Sequence, residues 1–292
     1  MELLANTYFS GAGLMDLGLQ EGGLTIQQSF EMDAICCRTL RRNFGHEVVE
    51  IDITQKLVSC EKDCQVMVAT YPCTKYSPIA DIHGTRTGDE LYLHFLRHVV
   101  IKRPEIYVLE NVPGMRKFPV VMEAMTKLPD YYVTTFCPVQ AHNWLPQKRN
   151  RLIIIGSRKN FLWREPKGVR PVTLAEIMED GPEVERPDYV DWRMDGKYRD
   201  LPIISDPARG DIAPTCVAHY AKDLSTRLVR DPSSPRGVRP YSVREYARLQ
   251  GVPDSFNFEG TSRDAYRQIG NGVPIPFGRW VAGEILRYFA KG

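Results

Sequence analysis

The sequence predicts an α/β fold with a doubly wound, mostly parallel sheet, and three observations carry that expectation. Short apolar runs alternate with amphipathic helical patterns through the first half of the chain. Residues with reactive side chains fall where those runs end, and open α/β sheets bind ligands beyond the carboxyl ends of their strands. The length, 292 residues with 43% hydrophobic and 25% charged, suits one large domain or one large domain carrying a small one.

The first strand is expected in "ANTYFS", followed by a glycine-rich turn and a helix in "GAGLMDLGL". Gly11 and Gly13 let a ligand approach the backbone, and a helix start favours polar or anionic groups. "TIQQSFEM" is the second strand; Glu31 ends it, 20 residues after Gly11, where a carboxylate can take ribose hydroxyls. "HEVVEID" is the third, closed by Asp52. This layout suits a nucleotide-like cofactor, although Leu14 and Asp16 break the full dinucleotide fingerprint. NAD and S-adenosylmethionine are not separated by this segment, and a plain tight turn is the bland alternative.

"QVMVATY" makes a fourth strand, ended by Pro72, which has no N–H to give a ladder. Cys73 therefore falls at the mouth of a loop. The helix in "DELYLHFLRHVV" should bury Leu91, Phe95 and Val99, with Leu93, Leu96 and Val100 widening that face. "EIYVLEN" places Glu110 and Asn111 at a strand tip before the Pro113-Gly114 turn. A partly desolvated carboxylate there can act as a general acid, or simply cap the next element. "YYVTTFC" and "RLIIIG" complete the strands. Arg149 and Arg151, two apart at the entry to the last, should share one face. Paired guanidiniums suit phosphate or carboxylate, and a solvated edge is the alternative.

From about Phe161 to Arg239 proline, aspartate and arginine crowd in and apolar periodicity disappears, as in a small irregular domain or a large insertion. Acidic and basic residues balance there, so no plain basic patch is expected. Helical patterning returns at "SVREYARLQG". Gly270-Asn271-Gly272 is expected to need unusual backbone angles before a proline-started helix. In that helix Phe277, Val281 and Ile285 form a stripe suited to packing on the first domain.

A net charge of +2 neither establishes nor excludes a nucleic-acid partner. Seven cysteines without disulfide-like spacing suggest a reducing compartment. Cys60 and Cys64 lack a second Cys or His pair, so no metal site is expected. Neither a leader-like start nor a run long enough to cross a bilayer is seen, and the chain reads as cytoplasmic.

Six motifs stand in order: Phe9-x-Gly11-x-Gly13, Pro72-Cys73, Glu110-Asn111-Val112, Gln147-x-Arg149-x-Arg151, "REYARLQGVPDSF" and Gly270-Asn271-x-Val273-Pro274. In this order they resemble the cytosine-5 DNA methyltransferases, closest to the compact bacterial and phage enzymes. The resemblance covers nearly everything except roughly Phe161 to Arg209. It implies a Rossmann-like, S-adenosylmethionine-dependent sheet with a small target-recognition domain. Residues 1–160 would bind cofactor and catalyse, 161–239 would read the DNA sequence, and 240–292 would return to the first domain. The implied reaction moves a methyl group from S-adenosylmethionine to carbon 5 of a flipped-out cytosine in a specific sequence of double-stranded DNA. Phe9, Gly11, Gly13, Leu14, Glu31, Met32, Asp52, Ile53, Pro72, Asn271 and Val273 would hold the cofactor. Cys73 would be the nucleophile, Glu110 would contact the base ring, and Arg149 and Arg151 would anchor base and carboxylate.

Three departures leave loop geometry around the nucleophile open. Thr74 stands where the family usually has glutamine, Ala69-Thr70-Tyr71 replace a glycine-rich approach, and Leu14 replaces a third glycine. The resemblance further implies a monomer, with a cognate restriction endonuclease sharing its site and forming no stable complex. Two rivals stay open: an RNA cytosine-5 methyltransferase acting on transfer RNA, and a catalytically inactive DNA-binding homologue. The sizeable variable segment favours DNA. Intact Cys73, Glu110, Arg149 and Arg151 argue against the inactive form.

Overall fold

The computed structural model describes residues 2–72, 91–168, 170–197, 199–200 and 202–291. It divides into two units: Met1–Gln140 with Asn150–Pro166 and Ile275–Gly292, and Ala141–Arg149 with Lys167–Pro274.

Strands Leu4–Tyr8 (β1), Thr25–Glu31 (β2), Glu47–Glu50 (β3), Val66–Ala69 (β4), Ile106–Asn111 (β5) and Tyr132–Gln140 (β6) lie in the first unit. Gln147–Lys148 (β7) belongs to the second unit, and Asn150–Ser157 (β8) returns to the first. The first unit's sheet has the order β3-β2-β1-β4-β5-β8-β6. Its first five strands pair in parallel, whereas β8 runs antiparallel to both β5 and β6. Helices Leu14–Glu21 (α1), Ala34–Asn43 (α2), Leu91–Lys102 (α3) and Pro119–Thr126 (α4) connect or flank them. Strands β4 and β5 are buried along their whole length, which explains their unbroken apolar runs. The doubly wound, mostly parallel α/β expectation is met.

Beside the central strands, Tyr8 stacks on Phe30 with ring centres 5.0 Å apart, and Phe95 of α3 packs against it. The long C-terminal helix, Ile275–Lys291, buries Phe277, Val281 and Ile285 and packs on α1. Gly18 permits that approach: a Cβ there would lie 2.4 Å from the Ile275 carbonyl oxygen. The face of α3 differs from its apolar pattern. It buries Tyr92, Phe95, His98 and Val99, while Leu93 and Val100 face outward. His98 on that face meets the buried Glu61 carboxylate, a polar contact that apolar periodicity could not register.

The second unit is built from short pieces. Ile203–Ser205 (β9), Arg227–Arg230 (β11) and Val238–Pro240 (β12) form one small sheet, and Ala213–Pro214 (β10) pairs with β7. Val190, Leu228 and Val238 make a small core. A second nucleus is aromatic: Tyr220 stacks on Tyr246 at 4.7 Å, and Tyr266 meets both edge-on. The boundary expected near residue 240 is absent, because residues 240–274 belong to this unit and only the C-terminal helix returns to the first. Arg239 shows why. Its buried guanidinium bonds Asp231 at 2.6 Å and both Glu245 oxygens at 2.7 and 2.8 Å, sewing the irregular segment to the "REYARLQG" helix. Gly270-Asn271-Gly272 also differs from expectation. Gly272 is extended (φ −67°), and Gly270 and Asn271 are helical with ordinary angles. Gly270 is required by space instead: its Cβ would lie 2.3 Å from the backbone of residues 217–218.

Candidate active site

After β1 the chain makes a left-handed turn, with Phe9, Gly11 and Gly13 at φ 57°, 55° and 82°. A Cβ on Gly11 would meet nothing within 4 Å among the described residues, which leaves room over this turn for a ligand. The Gly11 N–H donates to Glu31 Oε2 at 2.7 Å. Glu31 Oε1 accepts the N–H groups of Met32 and Asp33, each at 2.8 Å. Three main-chain donors thus orient a carboxylate that still has lone-pair capacity for a ligand hydroxyl. Met32 is 67% exposed beside it. Asp52 lies just past β3, its Oδ1 accepting the Thr54 N–H at 2.9 Å. The Ile53 side chain is buried and its carbonyl is held by Arg97 at 3.0 Å. The Leu14 side chain is fully inside the core, which leaves its backbone for a ligand.

Beneath the turn, Asp16 is wholly buried and accepts the hydroxyls of Thr7 (2.9 Å) and Ser29 (2.6 Å). Burial pushes its carboxyl up to about 6, although the Ser29 and Thr7 hydroxyls pull the other way. Ser29 Oγ also lies 2.7 Å from His46 Nε2. Because Ser29 gives its proton to Asp16, Nε2 is the donor, and the buried Nδ1, which has no partner among the described residues, is then a bare acceptor. Burial accordingly lowers His46 to about 4.

The segment that leads to Cys73 is fixed from both sides. Thr70 donates its N–H to Tyr8 O (3.1 Å) and its hydroxyl to Phe9 O (2.9 Å). Asn111 Nδ2 donates to Tyr71 O (3.3 Å), while Asn111 Oδ1 accepts the Val112 N–H (2.8 Å). Pro72 follows, exposed. Cys73, with Thr74 and Lys75, lies outside the described residues. The other six cysteines are free thiols. Burial pushes Cys37 and Cys64 up to about 12, so neither thiol ionises readily.

At the tip of β5, Glu110 Oε1 lies 2.9 Å from Arg151 Nε, with both side chains nearly shielded from water. Antiparallel β8 makes this possible. Its first residues pair with the last of β5 (Asn111 opposite Leu152), so Arg151, at the start of its strand, reaches the edge where the parallel strands end.

Arg149 has a different task. It is 1% exposed in the second unit, where its terminal nitrogens donate to the carbonyls of Cys216 (2.7 Å), Gly270 (3.0 Å) and Gly272 (2.7 Å). The expected pair of like guanidiniums on one face is replaced by one carboxylate partner and one main-chain brace. Nearby, Gln147 donates to Leu249 O at 2.7 Å, and Gln250 donates to Ile269 O at 2.8 Å. Asn271, exposed, and Val273, buried, follow on that braced segment.

Residues 7–194 and 182–287 match the model of the C-5 cytosine-specific DNA methylases. The chain belongs to that family. Type II methyltransferase M.NgoFVII of Neisseria gonorrhoeae is 29% identical over 97% of this chain and 86% of its own length. M.Eco47II of Escherichia coli is also 29% identical, over 97% and 78%. In fold, this DNA methylase resembles the Entamoeba histolytica methyltransferase EhMeth, with a TM-score of 0.80, 16% identity and coverage of 100% and 98%. It is an enzyme, and its reaction is methylation of cytosine at carbon 5 in DNA. No helix among the described residues is long and apolar enough to cross a membrane.

Family and fold imply S-adenosylmethionine as the methylase's donor. The residues present fit it, since Gly11 leaves open space beside the anchored Glu31 carboxylate. Sequence reasoning missed two parts of the methylase. Gln250 sits inside a helical motif with no polar signal to set it apart. Glu61 is the hub of a buried cluster: it pairs with Lys56 Nζ (3.0 Å) and His98 Nδ1, and accepts the Tyr8 hydroxyl (2.8 Å). Burial opposes its ionisation, yet His98, Lys56 and Tyr8 together hold its carboxyl below the ordinary range. An isolated buried charge cannot be read from sequence until its partner is known.

Proposed function

We propose that this methylase transfers a methyl group from S-adenosylmethionine to carbon 5 of cytosine within a specific sequence of double-stranded DNA, using Cys73 as a covalent catalyst. The observation that carries the reading is the shielded Glu110–Arg151 pair, on the same sheet edge as the braced Thr70–Pro72 stem that leads into Cys73. Carbon 5 of cytosine is too weak a nucleophile to be methylated unaided. Addition of the Cys73 thiolate to carbon 6 makes it enamine-like. Glu110 meets ring nitrogen 3 and relieves the charge that develops there, and Arg151 fixes the Glu110 carboxyl in place. When bound, S-adenosylmethionine supplies the methyl group as an electrophile. Loss of the carbon 5 proton to water then expels Cys73 as the thiolate.

Phe9, Gly11, Gly13, Glu31, Met32, Asp52, Ile53 and Pro72 are assigned to the cofactor, with Leu14 acting through its backbone; the family pattern adds Asn271 and Val273. Arg149 is assigned as the brace of the segment that carries them. The target base must leave the stack at a cost of a few kcal/mol, offset by contacts to phosphates and bases. The methylase is taken to act in the cytoplasm as a monomer, alongside a restriction endonuclease of the same specificity that forms no stable complex with it. Bisulfite sequencing of DNA from cells expressing the chain tests the reading. Methylation confined to one short motif, and absent with Cys73→Ala, is expected; methylation of transfer RNA with untouched DNA would overturn it.

A further inference from the structure

Helix Tyr189–Asp195 and the turn Tyr220–Lys222 border a surface groove of about 410 Å3, lined by Tyr189, Trp192, Arg193, Lys222 and Asp223. Trp192 is 73% exposed. Its platform is nevertheless fixed. Val190, next to it, is buried in the small core, and Asp191 takes a two-point bond from Arg186 (2.9 and 2.7 Å). The Tyr189 hydroxyl accepts the Leu224 N–H at 3.2 Å, tying the two walls together.

The charges in the groove are not balanced. Arg193 is neutralised by Asp223 at 2.5 Å. Asp223 also takes the Ser225 hydroxyl at 2.5 Å. Lys222 is exposed and has no acidic partner among the described residues. Arg227, close by, bonds Thr215 O at 3.0 Å and likewise has no acidic partner among them. His219 feels this field: burial first, then the charges of Arg227 and Lys222, lower its pKa.

An aromatic face held rigid beside an unpaired ammonium is the chemistry that grips a nucleic-acid strand. The ring takes a base or sugar face and the cation takes the phosphate. One indole is too little apolar area for a stable protein interface. We propose that this groove receives a strand of the DNA substrate, Trp192 lying against a base or deoxyribose face and Lys222 against an adjoining phosphate. The proposal rests on the reading that duplex DNA is the substrate, and gives the second unit two named contacts with it.

The test measures binding of a fluorescent duplex carrying the methylated motif, and of an unrelated duplex, by anisotropy at several salt concentrations. Trp192→Ala should weaken binding about tenfold, with Trp192→Phe restoring most of it, as a stacking contact requires. Lys222→Ala should weaken both duplexes alike and reduce the salt slope by about one, whereas Lys222→Arg should keep it. S-adenosylmethionine affinity should be that of wild type throughout. Variants that bind duplex with wild-type affinity and salt slope would overturn the groove assignment while leaving the proposed reaction intact. Wild type that methylates no duplex would remove both the reaction and the groove's occupant.

Discussion

Arg151 Nε stands 2.9 Å from Glu110 Oε1, across the boundary between an antiparallel strand and its parallel neighbour. The pair is shielded, so the orientation of the carboxyl is set by protein and not by water. Removing either partner leaves a buried group without its counterpart, and that is costly.

Glu110→Gln should therefore slow methyl transfer by about 100-fold, the scale of a lost general acid, with cofactor affinity retained. Arg151→Lys should lose about tenfold, because an ammonium lacks the planar fork. Single-turnover methylation of a target duplex reads both. Equal rates for wild type and Glu110→Gln would remove Glu110 from the chemistry.

A duplex with 5-fluorocytosine at the target should become covalently attached in the presence of S-adenosylmethionine, since fluorine cannot leave as a proton does. The adduct should survive denaturation and vanish in Cys73→Ala. Replacing Cys37 or Cys64, whose thiols burial pushes up to about 12, should leave it intact. An adduct formed by Cys73→Ala would show that another residue attacks.

Glu31→Ala should weaken S-adenosylmethionine binding by about 1.5–3 kcal/mol, the worth of a hydrogen bond to a charged group. Loss of the Gly11 N–H acceptor adds to the effect. Calorimetry on the folded variant checks it, and unchanged affinity would refute the placement. NAD binding tighter than S-adenosylmethionine would overturn the cofactor assignment.

Glu61→Ala should destabilise the fold by about 3–5 kcal/mol, because Lys56 and His98 lose their buried partner. Urea denaturation measures this. A change under 1 kcal/mol would mean that the cluster contributes little.

Asp16 and His46 should oppose each other with pH. The Asp16 pKa rises from 3.8 to about 6 on folding, so its contribution is fully present below pH 3.8 and lost as pH climbs through 6. His46 falls from 6.5 to about 4, so its contribution is present above pH 6.5 and lost as pH drops through 4. Relative to wild type, Asp16→Asn should gain a stability that increases with pH between 4 and 6.5, by roughly 3 kcal/mol. His46→Gln should show the opposite slope. Urea midpoints across that window decide, and parallel profiles for all three proteins would exclude both shifts.

The amino-acid sequence by itself determined the strands of the first unit's sheet, because period and composition are local: "QVMVATY" and "EIYVLEN" are short apolar runs that read as buried strands. It also located Gly11, Glu31 and Glu110 at strand ends, since glycine and the close of an apolar run mark those positions. It could not tell Arg149 from Arg151. Two arginines two residues apart read alike until the fold surrounds one with the carbonyls of residues 216, 270 and 272 and sets the other against Glu110. Nor could it orient α3, whose buried face includes His98 only because Glu61, 37 residues earlier, arrives to meet it. Backbone preference acts over a few residues and survives in the sequence. Whether a charge is buried depends on partners that the tertiary structure brings from far along the chain.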